Sequence, residues 1–267
     1  MTIPTALTIA GAAARGGAGI QADLKTFQER DVFGISAITA IVASHPKKST
    51  NIYPQTVEAV EAQFYTAFHD IGFDAMKTGM LFTTEMIERV ADLVQQTNLK
   101  NIVVDPVIIG KMGSQLLQDE AITAMKERLI PLATIITPNM PEAAKLLDQP
   151  ELTTVDEMKE AAVALHELGP TYVLVKGGRL QGPAIDVLYD GKDFKTYTAK
   201  RIDTNNTNGA GCTYSAAITA ELAKGKSVHQ AVSLGKAFIT AAIRHSLTFK
   251  RGVGPTYHAA YRKYGNK

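Results

Sequence analysis

Apolar positions along this chain fall into two alternating rhythms. Short continuous runs occur at Ala6–Ala10, Ile35–Ala43, Phe73–Lys77, Asn101–Asp105, Thr134–Thr137 and Tyr172–Lys176. Such runs are the pattern of strands buried on both faces. Between them lie segments of helical period: Ala18–Arg30, Val57–Asp70, Thr84–Thr97, Glu120–Arg128, Pro141–Leu147 and Val155–Leu168. This alternation predicts an α/β fold, a central mostly parallel sheet with helices on both faces. The rhythm then changes. Ala184–Tyr189 and Phe194–Thr198 flank Asp190-Gly191, a hairpin signal that predicts a small antiparallel edge. Two long helices, Gly209–Ala223 and Val228–His245, close the chain, with Gly225 placed as a left-handed cap. Without an internal repeat, a low-complexity linker or a composition shift, residues 1–267 read as a single domain.

Ligands in such folds sit beyond the carboxyl ends of the strands. Several predicted ends carry chemistry: Gly11, Lys77-Thr78-Gly79-Met80, Asp105-Pro106-Val107, Thr137-Pro138-Asn139 and Lys176-Gly177-Gly178. The most informative stretch is Asp203–Thr213, which runs through Gly209-Ala210-Gly211-Cys212 into a helix. Small residues let backbone N–H groups surround an anion, and the positive end of the helix dipole faces the same spot. Cys212 is the only cysteine and falls in the first turn, where the helix terminus favours thiolate and a nearby phosphate opposes it. A phosphate cradle with one ionisable group on its rim fits phosphoryl transfer to an alcohol. The alternative is a packed helix start with Cys212 as a small hydrophobe.

Other motifs narrow the picture. The turn Gly11–Ile20 lacks the lysine of a P-loop, since Gly17 stands there. Gly17–Ala22 formally matches a GxGxxA dinucleotide fingerprint, but the next strand ends in Ala43-Ser44-His45 with no acidic residue for a ribose, leaving a nicotinamide enzyme as a weak alternative. Asp23 either contacts a substrate or complements the helix dipole. Asn139 and Glu142 form a capping-box pair. Glu142 also suits Mg²⁺ held through water, with Asp105 assisting and Lys176 neutralising phosphate charge.

Composition excludes more than it selects. A net charge of +2 with interspersed signs argues against a nucleic-acid or membrane surface, and Lys47-Lys48 and Lys200-Arg201 read as ordinary solvated charge. One cysteine rules out intrachain disulfides and fits a reducing compartment. No signal peptide or membrane span is evident. The six histidines lack metal-ligand spacing and read as surface or capping residues.

Taken together, these blocks resemble the ribokinase-like vitamin kinases, in the branch of hydroxymethylpyrimidine and pyridoxal kinases. The resemblance runs end to end and is carried by Ala6–Gly11, Gly16–Phe27, Lys77–Met80, Val104–Val107, Thr137–Asn139 with Glu142, Lys176–Gly178 and Thr207–Thr213. It implies a cytoplasmic, homodimeric kinase using ATP and Mg²⁺. Cys212 would be the catalytic base and Gly209, Ala210 and Gly211 the anion hole. Asn139, Glu142, Lys176, Gly177, Gly178, Asp186, Gly211 and Lys236 would meet the nucleotide, with Glu142 and Asp105 at the metal. Asp23, Gly11, Val42, Ser44, Met80, Val107 and Gly110 would surround the substrate ring, under a lid near Ile108–Ser114 and Asn205–Asn208. Three departures stand out: Ala12-Ala13-Ala14-Arg15 replaces a Ser-Asp-x-Ser pattern, Gly110 replaces a lid cysteine, and Asn208 replaces a histidine. The Ala43-Ser44-His45-Pro46 context favours pyridoxal over hydroxymethylpyrimidine as substrate. The Ala12–Arg15 change keeps an inactive vitamin-binding protein as a further alternative.

Overall fold

Strand β1 (Thr5–Ala13) is buried along almost its whole length and leads through a glycine loop into helix α1 (Ile20–Glu29). These and all later elements belong to a computed structural model that describes residues 3–48, 51–110 and 115–265. Contacts divide the chain into two units, Met1–Phe82 with Asp203–Lys267 and Thr83–Ile202. In the first, β2 (Phe33–Val42) pairs parallel with β1, and β4 (Ala75–Thr78) pairs parallel on the other side. A three-residue strand, β3 (Ile52–Pro54), adds antiparallel to β2, giving the order β3-β2-β1-β4. Sequence periodicity does not reveal β3, which is too short to show a rhythm. The β1/β2 register shifts between Ala10 and Gly11, yet pairing continues to Ala13, past the Gly11 end expected from sequence. The small apolar Ala12 and Ala13 extend the ladder. Helix α2 (Val57–Tyr65) passes into a wider π-type turn, Thr66–Ile71, rather than running straight to Asp70. Around this turn Phe64, Phe68 and Phe73 pack ring on ring.

The second unit opens with α3 (Thr84–Gln95), capped by the Thr83 hydroxyl. Its buried positions Met86, Ile87, Val90, Ala91, Leu93 and Val94 follow one helical face. Strands β5 (Ile102–Val104), β6 (Ile135–Ile136) and β7 (Tyr172–Gly177) pair parallel in that order. Helices α4 (Asp119–Ala124), α5 (Met140–Leu146) and α6 (Val155–His166) fall between them. Strands β8 (Ala184–Tyr189) and β9 (Phe194–Ala199) continue antiparallel as the expected hairpin. Its turn is held by the Asp190 carboxylate, which accepts from the N–H groups of Lys192 and Asp193.

The chain then returns to the first unit. Helix α7 (Ala210–Ala223) is buried from Thr213 to Leu222 and packs with α1 over β1, Phe27 meeting Ala216 and Ala220. Gly225 ends it in the left-handed conformation, as expected. Helix α8 (Val228–Arg244) starts at a Ser227/Gln230 capping box, and a short α9 (Ala260–Tyr264) follows, unforeseen in sequence. Among the described residues no helix is long and apolar enough to cross a membrane.

Candidate active site

In the first unit the segment expected to form the cradle lies where the 204–209 loop enters α7. Gly209 is its N-cap in the left-handed region, φ 76°. A Cβ there would sit 1.7 Å from the Gly17 carbonyl oxygen, so only glycine fits. A helix start leaves its first N–H groups without helical partners. One of the anticipated donors is spent, since the Ala210 N–H bonds the Thr207 carbonyl at 3.2 Å. Cys212 is the third residue of α7 and half-buried.

Close by in the same unit, three residues expected at the ring come together. A Cβ on Gly11 would meet Met80 Cε at 2.6 Å and Val42 Cγ2 at 3.7 Å. The Thr39 hydroxyl holds the Met80 carbonyl at 2.7 Å. Ser44, by contrast, is exposed on the loop after β2. Gly19 caps α1 with φ 57° and presses on the Gly11 carbonyl, which ties the glycine loop to the same floor. Asp23 is fully buried, its two oxygens each 2.9 Å from Lys77 Nζ and one accepting from Thr8 Oγ1 at 2.7 Å. The Ala12–Arg15 departure is knitted in. Ala13 N–H donates to Gln21, Ala14 N–H to Val42, and the Arg15 guanidinium to the Arg251 carbonyl. Lys236 lies half-buried on α8.

The second unit assembles the acidic set. Asn139 and Glu142 make the capping box at 2.9 and 3.0 Å. Lys176 joins this set through its N–H, which bonds the Pro138 carbonyl, and its ammonium lies 3.1 Å from Asp105. Burial raises the Glu142 carboxyl to about 7; Lys176 and the Asn139 and Ile109 N–H groups pull it down, and Asp105 pushes it up. Asp186, opposite Lys176 on β8, accepts from the Gly177 N–H at 3.0 Å, and the Gly178 carbonyl accepts from Arg201. Val107 follows β5 with φ 45°, a strained setting for a β-branched residue. Gly110 closes the described part of the expected lid, of which residues 111–114 lie outside the described residues.

Some residues in these settings escaped the sequence analysis. Arg201, read there as solvated charge, clamps the carbonyls of Gly178, Leu180 and Gly182. His258 is not a surface or capping residue. It is buried, 3.1 Å from Thr213 Oγ1 on the first turn of α7. Burial and the charge of Lys25 lower its pKa to about 4, against an opposing pull from Glu29. Neither residue belongs to a local motif, and only the fold brings each to its partner.

Against known proteins, residues 14–257 match the phosphomethylpyrimidine kinase family model. The chain belongs to that family and is an enzyme of its phosphotransferase class. It is 50% identical over 266 residues to the pyridoxine kinase of Bacillus subtilis, covering 98% of both chains. It is 44% identical over 265 residues to the hydroxymethylpyrimidine/phosphomethylpyrimidine kinase of the same organism, covering 98% of this chain and 97% of the relative. The pyridoxal kinase of Staphylococcus aureus, solved with AMP-PCP and pyridoxal, superposes with a TM-score of 0.91 at 39% identity, covering 99% of this chain and 96% of that one. The ribokinase-like α/β expectation agrees with these neighbours.

Proposed function

We propose that this enzyme transfers the γ-phosphoryl group of ATP to the 5′ hydroxymethyl oxygen of pyridoxal. The observation that carries the reading is the cradle: a left-handed Gly209, fixed against Gly17, opens α7 with Cys212 in its first turn. Cys212 as thiolate takes the proton of the hydroxymethyl group, and the oxygen attacks the γ-phosphorus as ADP leaves. The Gly209–Cys212 turn, with its helix dipole, stabilises the charge on the transferring phosphoryl oxygens. Gly11, Val42 and Met80 form one wall for a flat ring.

The second unit's set suits Mg²⁺ and a nucleotide. Glu142 and Asp105 offer hard carboxylate oxygens, and among the described residues no group of three or more His, Cys, Asp or Glu side chains is placed to hold a metal ion. Mg²⁺ fits such a sparse set because it retains water and phosphate oxygens as ligands. When bound it neutralises charge on the phosphates. Lys176 adds a cation beside Asp105, and Asn139 fixes Glu142 through the capping box.

The 50% identity to a pyridoxine kinase and the pyridoxal-bound neighbour support pyridoxal as the ring. The 44% identity to a hydroxymethylpyrimidine kinase supports that ring as the second reading. A coupled ATP-to-ADP assay with Mg²⁺ and each vitamin in parallel decides between them, with faster turnover of pyridoxal expected. Cys212→Ala is expected to abolish turnover and spare ring binding; near-normal turnover would remove Cys212 from the base role.

A further inference from the structure

Threonines inside the helices of this protein usually turn their hydroxyls back onto the carbonyl four residues earlier. Thr26, Thr123, Thr219 and Thr240 all do so, at 2.7, 3.2, 2.8 and 2.7 Å. Thr213, adjacent to Cys212, does not. Its hydroxyl points out of α7, 3.2 Å from Thr256 Oγ1 and 3.1 Å from His258 Nε2. All three side chains are buried, His258 being the most exposed at 7%. Two directions satisfy them with a neutral imidazole: Thr256 donates to Thr213 and Thr213 to an unprotonated Nε2, or Nε2–H donates to Thr213 and Thr213 to Thr256. Burial and Lys25 on α1 keep that imidazole neutral, and Glu29 on α1 opposes them. An imidazolium, with Nε2–H always a donor, leaves only the second direction.

The same C-terminal segment grips the other side of Gly209. Asn208 N–H donates to the Gly254 carbonyl at 3.1 Å, Thr256 N–H to the Asn208 carbonyl at 3.4 Å, and Gly254 N–H to the Asn206 side chain at 2.9 Å. Gly209 itself has no side chain with which to hold its place. The cradle is therefore fixed from both flanks by residues 254–258, with Thr213 as the grip on the helical side.

We infer that His258, through Thr213 and Thr256, is a positioning residue that sets the first turn of α7 and with it Cys212. The inference rests on the reading of Gly209–Cys212 as the cradle. It is tested on the full chain with the near-isosteric Thr213→Val, with Thr213→Ser, which keeps the hydroxyl, and with His258→Leu and His258→Gln. Two readouts are taken: kcat and KM for pyridoxal and ATP, and the rate at which iodoacetamide alkylates Cys212, the only thiol in the protein. Misplacing a reacting group by about 1 Å can cost about a hundredfold in rate, so a smaller shift is expected to cost kcat about tenfold. Thr213→Val and His258→Leu are expected to lose that much, with both KM values within about threefold of wild type and a changed alkylation rate. Thr213→Ser and His258→Gln are expected to restore both, and Thr213→Val/His258→Leu to be no worse than either single change. Folded Thr213→Val with wild-type kcat and wild-type alkylation would overturn the inference. If wild type turns over neither vitamin, the alkylation series still decides: shifted rates uphold the positioning role while the kinase reading fails, and unshifted rates reject the role.

Discussion

Asp23 and Lys77 are both inaccessible to solvent, with the ammonium 2.9 Å from each carboxylate oxygen. Removing one partner leaves the other's charge in the interior without its ion pair, which costs about 3–5 kcal/mol. Asp23→Asn and Lys77→Met should each lose stability on that scale, a large part of the 5–15 kcal/mol typical of a folded protein. For a chain of this length that corresponds to roughly 10 °C in melting temperature. Replacing both by apolar groups removes the desolvation cost along with the attraction. Asp23→Leu/Lys77→Met should therefore recover most of the loss, with the Thr8 hydroxyl left without its Asp23 acceptor costing about 1 kcal/mol. Urea unfolding of the wild type, the single variants and the double variant gives the coupling directly. Additive losses, or single losses below about 1 kcal/mol, would refute a buried ion pair. The same set tests how Asp23 bears on the ring. With both of its oxygens engaged by Lys77 and Thr8, KM for pyridoxal in the stable double variant should stay within about threefold of wild type. A much larger rise would mean that Asp23 meets the substrate directly.

Three further outcomes follow from the geometry. Gly209→Ala drives a Cβ onto the Gly17 carbonyl at positive φ, so it should cost about 1–3 kcal/mol of strain and far more in turnover, seen as a lower melting temperature and a collapsed kcat. The native His258 stays neutral down to about 4, so its contribution is full above pH 6.5 and is lost as pH falls toward 4. Glu142 holds its proton up to about 7, so its contribution is full below pH 4.5 and is lost as pH rises through 7. The two oppose each other between pH 4.5 and 6.5, and urea midpoints should show His258→Gln gaining stability on acidification through that window while Glu142→Gln loses it. Glu221, 1% exposed and bound by Arg30 and Lys224, should cost about 3 kcal/mol when changed to Leu, because Arg30 is then held over Phe238 and Tyr261 without its carboxylate; melting of Glu221→Leu checks this.

What the sequence discloses about this protein is what lies close together along the chain. Gly209–Cys212 and the Asn139/Glu142 box are legible because turn, cap and helix start are consecutive residues with fixed offsets. The parallel strands are legible because both of their faces are apolar. Strand β3 escapes because three residues show no rhythm, and the π-type turns at Thr66–Ile71 and Met125–Leu129 escape because their hydrophobic period scarcely differs from that of an α-helix. The groups that tune the site are illegible for a different reason. Asp23 finds Lys77 across 54 positions, Lys176 finds Asp105 across 71, and Thr213 finds His258 across 45. Each of these residues alone has an ordinary reading, as helix-dipole partner, strand end or surface histidine. Their chemistry is created by burial together, which no local pattern encodes. The raised Glu142 carboxyl illustrates the division. Its capping role can be read from four consecutive residues, whereas its poise near neutrality depends on burial and on charges supplied from β7 and from the end of β5. A motif therefore marks the candidate groups, and the fold sets their burial and their partners.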